Sequence, residues 1–112
     1  METENKFQSK LIKELEARFD GCIVTKLDSG HIQGIPDLLV LYKDKWATLE
    51  CKRSEKEYLR DQGKRPNQEW YVNTMNQMSY SSFIYPENKE KVLNEIEHSF
   101  KPSRSTRVSK SK

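Results

Sequence analysis

The chain has 112 residues, of which 34% are hydrophobic and 33% charged, so it can bury one modest core and forms one domain. No apolar stretch reaches the roughly 18 residues of a membrane span, and the N-terminus lacks the apolar core of a signal peptide. We therefore expect a soluble, cytoplasmic protein with no membrane partner. Cys22 and Cys51 are isolated from each other and from histidines at ligand spacing, which argues against structural zinc.

The net charge of +3 hides an asymmetry between the body of the chain and its end. Five of the twenty basic residues lie in 101–112, which has no acidic residue, so 1–100 holds fifteen basic and seventeen acidic residues. The composition predicts a folded domain over 1–100 and a disordered basic tail over 101–112. The tail either adds salt-dependent affinity for nucleic-acid phosphates or only keeps the protein in solution.

The apolar pattern predicts an α/β fold, order αβββαβα, with a central mixed sheet flanked by helices. Phe7, Leu11 and Leu15 have helical spacing and predict a first helix over 5–19. The later predicted elements are strands at 22–24, 35–42 and 46–52, a helix at 66–78, a strand at 82–85 and a helix opening at Pro86. The charged segment from Arg53 to Arg65 is expected to be an exposed loop or a loose helical extension.

Two carboxylates are predicted to face each other on the central strands. If residues 43–44 form the hairpin loop, Asp37 lies opposite Glu50, with Cβ atoms about 4.5–5.5 Å apart on one face. A three-residue loop would shift this register by one residue. Glu50 and Lys52 share a face because they are two residues apart, whereas the Cys51 side chain points away. Two carboxylates and an amine are therefore expected to converge.

Facing carboxylates destabilise a sheet unless something compensates, and a divalent cation does so. Mg²⁺, which Mn²⁺ can replace, takes oxygen ligands from one or two carboxylates, water and phosphate, and the Cys51 carbonyl could add another. Such an ion polarises a phosphodiester and helps to generate the attacking hydroxide, while Lys52 orients that water or neutralises charge on the phosphate. In the alternative interpretation, Lys52 only neutralises the two acids as an ion pair.

Glu4 lies seven residues before Leu11 and eleven before Leu15, on the apolar stripe of the first helix. Its carboxylate is expected to point toward the sheet, with Gln8 one turn later as support. The alternative is a solvated acid that stabilises the helix dipole.

Four features in order resemble the signature of the PD-(D/E)XK nucleases. They are Glu4 ahead of Phe7-Gln8, the string Gly34-Ile35-Pro36-Asp37, the string Glu50-Cys51-Lys52, and Pro66-Asn67-Gln68 at the start of a helix. More narrowly, the chain resembles the VRR-NUC group and the small phage-type Holliday junction resolvases over residues 4–97. The resemblance implies a restriction-endonuclease-like core and a nuclease that acts in DNA recombination.

The resemblance also implies roles for individual residues. It implies a metal site formed by Asp37, Glu50, the Cys51 carbonyl and Glu4. Lys52 matches the catalytic lysine, and Gln68 matches a helix glutamine that assists at the active site. The segment 54–64 is long for so small a member, and is either a substrate-contacting loop or an insertion.

Basic residues around the predicted site are candidates for binding DNA phosphates. They are Lys26, Arg53, Lys64 and Arg65, although solvated surface charge explains each equally well. His31, in a glycine-flanked loop, either contacts DNA, relays a proton or is incidental. Trp46 and Trp70 are interpreted as core or interface residues, with base stacking as the alternative.

These features predict a Mg²⁺-dependent, structure-selective DNA endonuclease that cuts branched DNA such as Holliday junctions. A chain this small has little surface for reading sequence, and cutting both strands of a junction calls for a homodimer. No small-molecule cofactor is expected. The alternatives are a less selective nuclease for flaps, nicks or single strands, a DNA-binding protein on a degenerate nuclease scaffold, and an interaction module that uses the charged segment.

Overall fold

The computed structural model describes residues 2–102, which form an α/β fold with one mixed sheet and four α-helices in this range. In chain order the elements are α1 (Glu4–Arg18), β1 (Ile23–Lys26), β2 (Leu38–Tyr42), β3 (Lys45–Cys51), α2 (Glu55–Asp61), α3 (Pro66–Met78), β4 (Tyr80–Ile84), a 3₁₀ turn (Pro86–Asn88) and α4 (Lys89–Ser99). Within 2–102, no helix is both long and apolar enough to cross a membrane. Of the predicted basic tail, residues 103–112 lie outside the described range.

The sheet is mixed, as predicted. Its strand order is β1-β2-β3-β4, with β1–β2 and β2–β3 antiparallel and β3–β4 parallel. An antiparallel pair can be joined by a short hairpin, whereas a parallel pair needs a crossover, and here α2 and α3 form it. The crossover brings both helices to the end of β3 that carries Glu50 and Lys52.

The hydrophobic core lies between one face of the sheet and the helices α1 and α4. On the sheet side, Val40 is paired with Ala47 and Leu38 with Leu49, and all four side chains are fully buried. The helices add Phe7, Leu11, Leu15, Val92, Leu93 and Ile96. At helical spacing these apolar residues form one stripe on each helix, which explains why both helices pack on the same face.

The opposite face is only half covered. Helix α3 covers β3 and β4, where the buried Thr48 hydroxyl donates to Ser81 Oγ at 2.8 Å and lies 3.4 Å from Met75 Sδ. The β1–β2 half stays open, and the paired residues Ile23 and Leu41 are 61% and 40% exposed. The face that carries Glu50 therefore also has an uncovered apolar half.

The order of elements differs from the prediction by one helix. The segment expected to be an exposed loop or a loose helical extension contains the helix α2, which Ser54 caps by accepting a hydrogen bond from the Glu57 N–H at 3.1 Å. No residue of α2 is buried. The helix is held by Tyr58, whose ring lies 5.1 Å from Phe83 and 5.3 Å from Tyr85. Because α2 buries little apolar surface, its sequence has no apolar residues at helical spacing that would predict it.

Other boundaries and one burial prediction are also corrected. β2 begins at Leu38, not at residue 35, because Pro36 has no N–H to pair. The last helix begins at Lys89, after the 3₁₀ turn that starts at Pro86. Trp70 is 60% exposed and does not belong to the core, whereas Trp46 is half-buried.

Candidate active site

Asp37 and Glu50 lie opposite each other at the end of the β2–β3 hairpin. The β2–β3 register is the predicted one, since Leu38 pairs with Leu49, and continuing it by one residue puts Asp37 opposite Glu50. Both side chains line the same cleft. Directly opposed residues project to the same face. Asp37 is further fixed by its Oδ2, which accepts a hydrogen bond from the Cys51 N–H at 2.8 Å.

The Cys51 carbonyl is available on the same side of β3. In an antiparallel ladder every second pair of opposed residues exchanges both backbone hydrogen bonds. Continuing the β2–β3 register two residues beyond the Leu38–Leu49 pair puts Pro36 opposite Cys51. Proline has no N–H, so β2 offers the Cys51 carbonyl no donor. The Cys51 side chain is 1% exposed and lies in the core. This is expected, because neighbouring residues of a strand point to opposite faces of the sheet and Glu50 points to the cleft.

The two carboxylates resist being charged together. Burial and then the neighbouring Asp37 carboxylate raise the pKa of Glu50 to about 9. Burial also raises the pKa of Asp37, although the Cys51 N–H and Lys52 act in the opposite direction. An opposite charge between them would favour ionisation of both carboxyl groups.

Glu4 lies at the same cleft. It occupies the first turn of α1, which Thr3 caps by accepting from the Lys6 N–H at 3.1 Å. The half-buried Glu4 carboxylate accepts a hydrogen bond from Gln8 Nε2 at 3.3 Å. Burial and then Asp37 raise the pKa of Glu4, so it contributes to the same acidic field.

Lys52 directly follows β3, and its N–H donates to the Ile84 carbonyl at 2.9 Å, extending the ladder with β4. The residue is 5% exposed. Its Nζ donates to Asp61 Oδ2 at 3.2 Å and to Gln68 Oε1 at 3.0 Å. Its ion-pair partner is therefore Asp61 of α2, which differs from the alternative in which Lys52 neutralises Asp37 and Glu50.

Gln68 reaches Lys52 because the start of α3 packs tightly on the loop before β2. Gly34 has φ +91°, and a Cβ built there would lie 2.5 Å from Asn67 Cβ. Only glycine permits this approach of the two segments. Gly34 thus packs against the start of α3, which begins at Pro66. This contact positions Gln68 beside the sheet.

These residues line one cleft of about 220 Å³, here called the central cleft. It is lined by Glu4, Asp37, Glu50, Lys52, Glu57, Arg60, Asp61, Arg65 and Gln68. The acids of α1 and the sheet face the basic residues that surround Asp61. The cleft therefore has an acidic part suited to a cation and a basic part suited to an anion.

Three residues of the cleft were missed by the sequence analysis, namely Glu57, Arg60 and Asp61 of α2. Glu57 accepts hydrogen bonds from the backbone N–H and the Nε of Arg53, at 2.8 and 3.1 Å. A signal for α2 is present in the string Ser54-Glu55-Lys56-Glu57, since a serine followed three residues later by glutamate is typical of a helix start.

The predicted DNA-contacting residues do not all lie at the cleft. Arg65 lines it, with its Nε 3.7 Å from Asp61 Oδ2. Lys26, exposed at the end of β1, lies near enough to lower the pKa of Asp37. Arg53 borders the cleft through its pairing with Glu57. Lys64 and His31 are exposed and lie outside the residues that line the cleft.

The residues present fit a hard divalent cation with few protein ligands. Within 2–102, no group of three or more His, Cys, Asp or Glu side chains is arranged as a metal site. Mg²⁺ commonly uses one or two carboxylates and completes its coordination with water and substrate phosphate. The facing pair Asp37 and Glu50, with the Cys51 carbonyl beside it, matches that donor set.

Comparisons with protein-family models, with curated proteins and with solved structures gave no significant match to this chain. The family resemblance stays a prediction that depends on the motif residues.

Proposed function

We propose that the chain is a metal-dependent endodeoxyribonuclease of the PD-(D/E)XK type, with a restriction-endonuclease-like core. The observation that carries this proposal is the position of Asp37 and Glu50 in one cleft, one residue beyond the Leu38–Leu49 pair of neighbouring strands. Lys52 lines the same cleft. The buried Glu50 carboxyl and the half-buried Asp37 carboxyl both have raised pKa values, so keeping the two acids side by side costs stability. Such perturbed groups in a cleft are typical of functional sites.

Asp37, Glu50 and the Cys51 carbonyl would hold Mg²⁺ or Mn²⁺, with Glu4 at the edge of the same acidic part. When bound, the ion would polarise the phosphodiester and lower the pKa of a water molecule. Lys52 would neutralise the charge that develops on the phosphate oxygens, or orient the attacking water. Gln68 accepts from Lys52 Nζ and so fixes the position of that ammonium.

Branched DNA is the proposed substrate, and a homodimer the proposed active form. A small domain with little surface for reading bases selects DNA by shape and backbone contacts. Two cuts in a symmetric junction require two cleft copies related by a two-fold axis. The uncovered apolar half of the sheet, with Ile23 and Leu41 exposed, is the surface that supports self-association.

The substrate class is tested by cleavage of a labelled four-way junction and a linear duplex of matched sequence in Mg²⁺. Wild type is compared with Asp37→Ala and with the control Asp44→Ala, whose exposed side chain lies in the hairpin turn. Cutting of the junction alone, lost only in Asp37→Ala, supports the resolvase proposal. Equal cutting of both substrates favours a less selective nuclease. Binding without cutting favours a DNA-binding protein on a degenerate scaffold.

A further inference from the structure

Three cationic side chains converge on one carboxylate at the basic part of the central cleft. Asp61 Oδ2 lies 3.2 Å from Lys52 Nζ and 3.7 Å from Arg65 Nε, and its Oδ1 lies 3.3 Å from Arg60 Nε. The Asp61 side chain is 13% exposed, whereas both arginine side chains are 58% exposed. Arg60 also lies 3.5 Å from Glu57, which pairs with Arg53 as well. Asp61 is therefore the acid on which Lys52, Arg60 and Arg65 all converge, in a group of four cations and two acids.

Lysine and arginine donors that fit a carboxylate also fit a phosphodiester. Arginine presents a planar fork of N–H donors that matches both anions, and lysine adds a point charge. The two carboxylates Asp61 and Glu57 leave the four cations around them incompletely neutralised, so this part of the cleft keeps an excess of positive charge that a phosphate would satisfy. Lys52 also belongs to the acidic part through its neighbour Glu50, so the two parts of the cleft adjoin.

Asp61 can leave this position without disturbing the core. It is the last residue of α2, a seven-residue helix with no buried residue. The helix is held chiefly by the stacking of Tyr58 on Tyr85 and Phe83 and by its serine cap. Elements with few buried apolar contacts have the lowest opening free energies in a protein.

We propose that Lys52, Arg60 and Arg65 form a phosphate-binding site that Asp61 occupies in the free protein, and that a DNA phosphodiester displaces the carboxylate when substrate binds. The proposal deepens the proposed nuclease function and rests on it for the identity of the ligand as DNA. In this proposal Arg60 and Arg65 contact the phosphate backbone of DNA, and the Asp61 carboxylate competes with that phosphate for the site.

The test is the affinity for a fluorescent linear duplex, measured by anisotropy in EDTA so that neither metal nor cleavage contributes. Asp61→Asn keeps the shape of the side chain and removes the competing charge. We expect it to bind about tenfold tighter than wild type, whereas the control Asp44→Asn, with the same change in net charge, gains about twofold at most. In an Arg65→Gln background the gain from Asp61→Asn should disappear.

A second pair of variants keeps the proposal testable if Asp61→Asn does not fold. Arg60→Gln and Arg65→Gln, both exposed, should each weaken binding about tenfold and reduce the salt slope of the affinity by about one, whereas Lys43→Gln in the hairpin turn should not. Unchanged or weaker binding by Asp61→Asn, or wild-type binding by both arginine variants, would show that Asp61 only holds Lys52. The test measures binding and not cleavage. If the binding results are as expected but the protein never cuts DNA, the phosphate-site proposal stands and only the nuclease proposal fails.

Discussion

Glu50 is the residue at which a proton and the proposed divalent cation would compete. It is 5% exposed, and burial together with Asp37 raises its pKa from 4.5 to about 9. The folded protein therefore retains a proton that the unfolded chain releases above about pH 4.5. The stability that this proton provides is complete below that pH and is lost as pH rises toward 9. A bound cation would replace the proton.

Without metal, the free energy of unfolding of the wild-type protein should fall between about pH 5 and pH 9. Glu50→Gln should remove most of that fall and add roughly 1–3 kcal/mol of stability at pH 8. Mg²⁺ or Mn²⁺ should raise the melting temperature of wild type more at pH 8 than at pH 5, but should not stabilise Glu50→Gln. Thermal denaturation at several pH values measures both effects. Identical pH profiles for the two proteins would contradict this account of Glu50.

Gln68 is expected to act on catalysis through Lys52. Because its Oε1 accepts from Lys52 Nζ at 3.0 Å, Gln68→Ala should leave the ammonium less well positioned. The single-turnover cleavage rate should fall about tenfold to a hundredfold, a range typical of residues that orient a reactive group. DNA affinity should change little. Gln77→Ala, an exposed glutamine on the same helix, is the control and should cut like wild type. A parallel loss of affinity in Gln68→Ala would assign it to binding instead.

At the scale of elements, the contact between the Gly34 loop and α3 joins the two halves of the motif. Gly34→Ala places a Cβ 2.5 Å from Asn67 Cβ at a φ of +91°, so the start of α3 must move and carry Gln68 with it. We expect Gly34→Ala to lower the free energy of unfolding by about 2–4 kcal/mol. We also expect the folded variant to cleave DNA more slowly than wild type. Gly21→Ala is a matched control, because Gly21 has φ +86° with nothing within 4 Å of the added Cβ. It should lose only about 1 kcal/mol and keep its activity. Denaturant unfolding measures both variants. If Gly34→Ala and Gly21→Ala lose the same free energy of unfolding, the close packing of Gly34 on α3 does not matter for stability.

The elements that the sequence predicts well are those whose packing is periodic. The facing of Asp37 and Glu50 followed from a two-residue hairpin loop and the period of two along a strand, and neither depends on distant parts of the chain. α1 and α4 were predictable because their apolar stripes face the core. The nuclease roles of these residues stay predictions.

Helix α2 and its partners were not predictable in the same way. α2 buries no residue, so its existence depended on the cap at Ser54, a weak local signal. The pairing of Lys52 with Asp61 also required knowledge of where α2 lies over the cleft. Trp70 was assigned to the core or an interface by its residue type. It is two residues from the buried Val72 on α3 and is 60% exposed, which excludes the core. The interface alternative stays a prediction.

At the scale of the whole molecule, the open half of the sheet has a cross-strand row of Ile23, Leu41 and Trp46. Ile23 and Leu41 are 61% and 40% exposed on a chain whose other sheet half is covered. Contiguous exposed apolar surface on a sheet is typical of an interaction site. An isologous dimer through this row would relate two central clefts by a two-fold axis.

The dimer prediction is tested by sedimentation of wild type and Ile23→Lys. Wild type should sediment at twice the mass of one chain, and Ile23→Lys as a monomer that has lost paired cutting of a junction. Met78→Lys, which also replaces an exposed apolar residue, should remain dimeric because Met78 lies on α3. A wild-type monomer that still cuts both strands in one binding event would contradict this prediction.

Single-turnover cleavage of a labelled four-way junction tests whether Asp37 and Glu50 hold a metal beside Lys52 to cut DNA. Wild type is assayed with Mg²⁺, Mn²⁺, Ca²⁺ and EDTA, beside Asp37→Asn, Glu50→Gln, Lys52→Met and the control Asp44→Asn. Wild type and the control should cleave in Mg²⁺ and Mn²⁺ but not in EDTA, and the other three variants should lose at least about a hundredfold in rate. Cleavage that persists in EDTA, or that survives in both Asp37→Asn and Glu50→Gln, would contradict this metal-binding role.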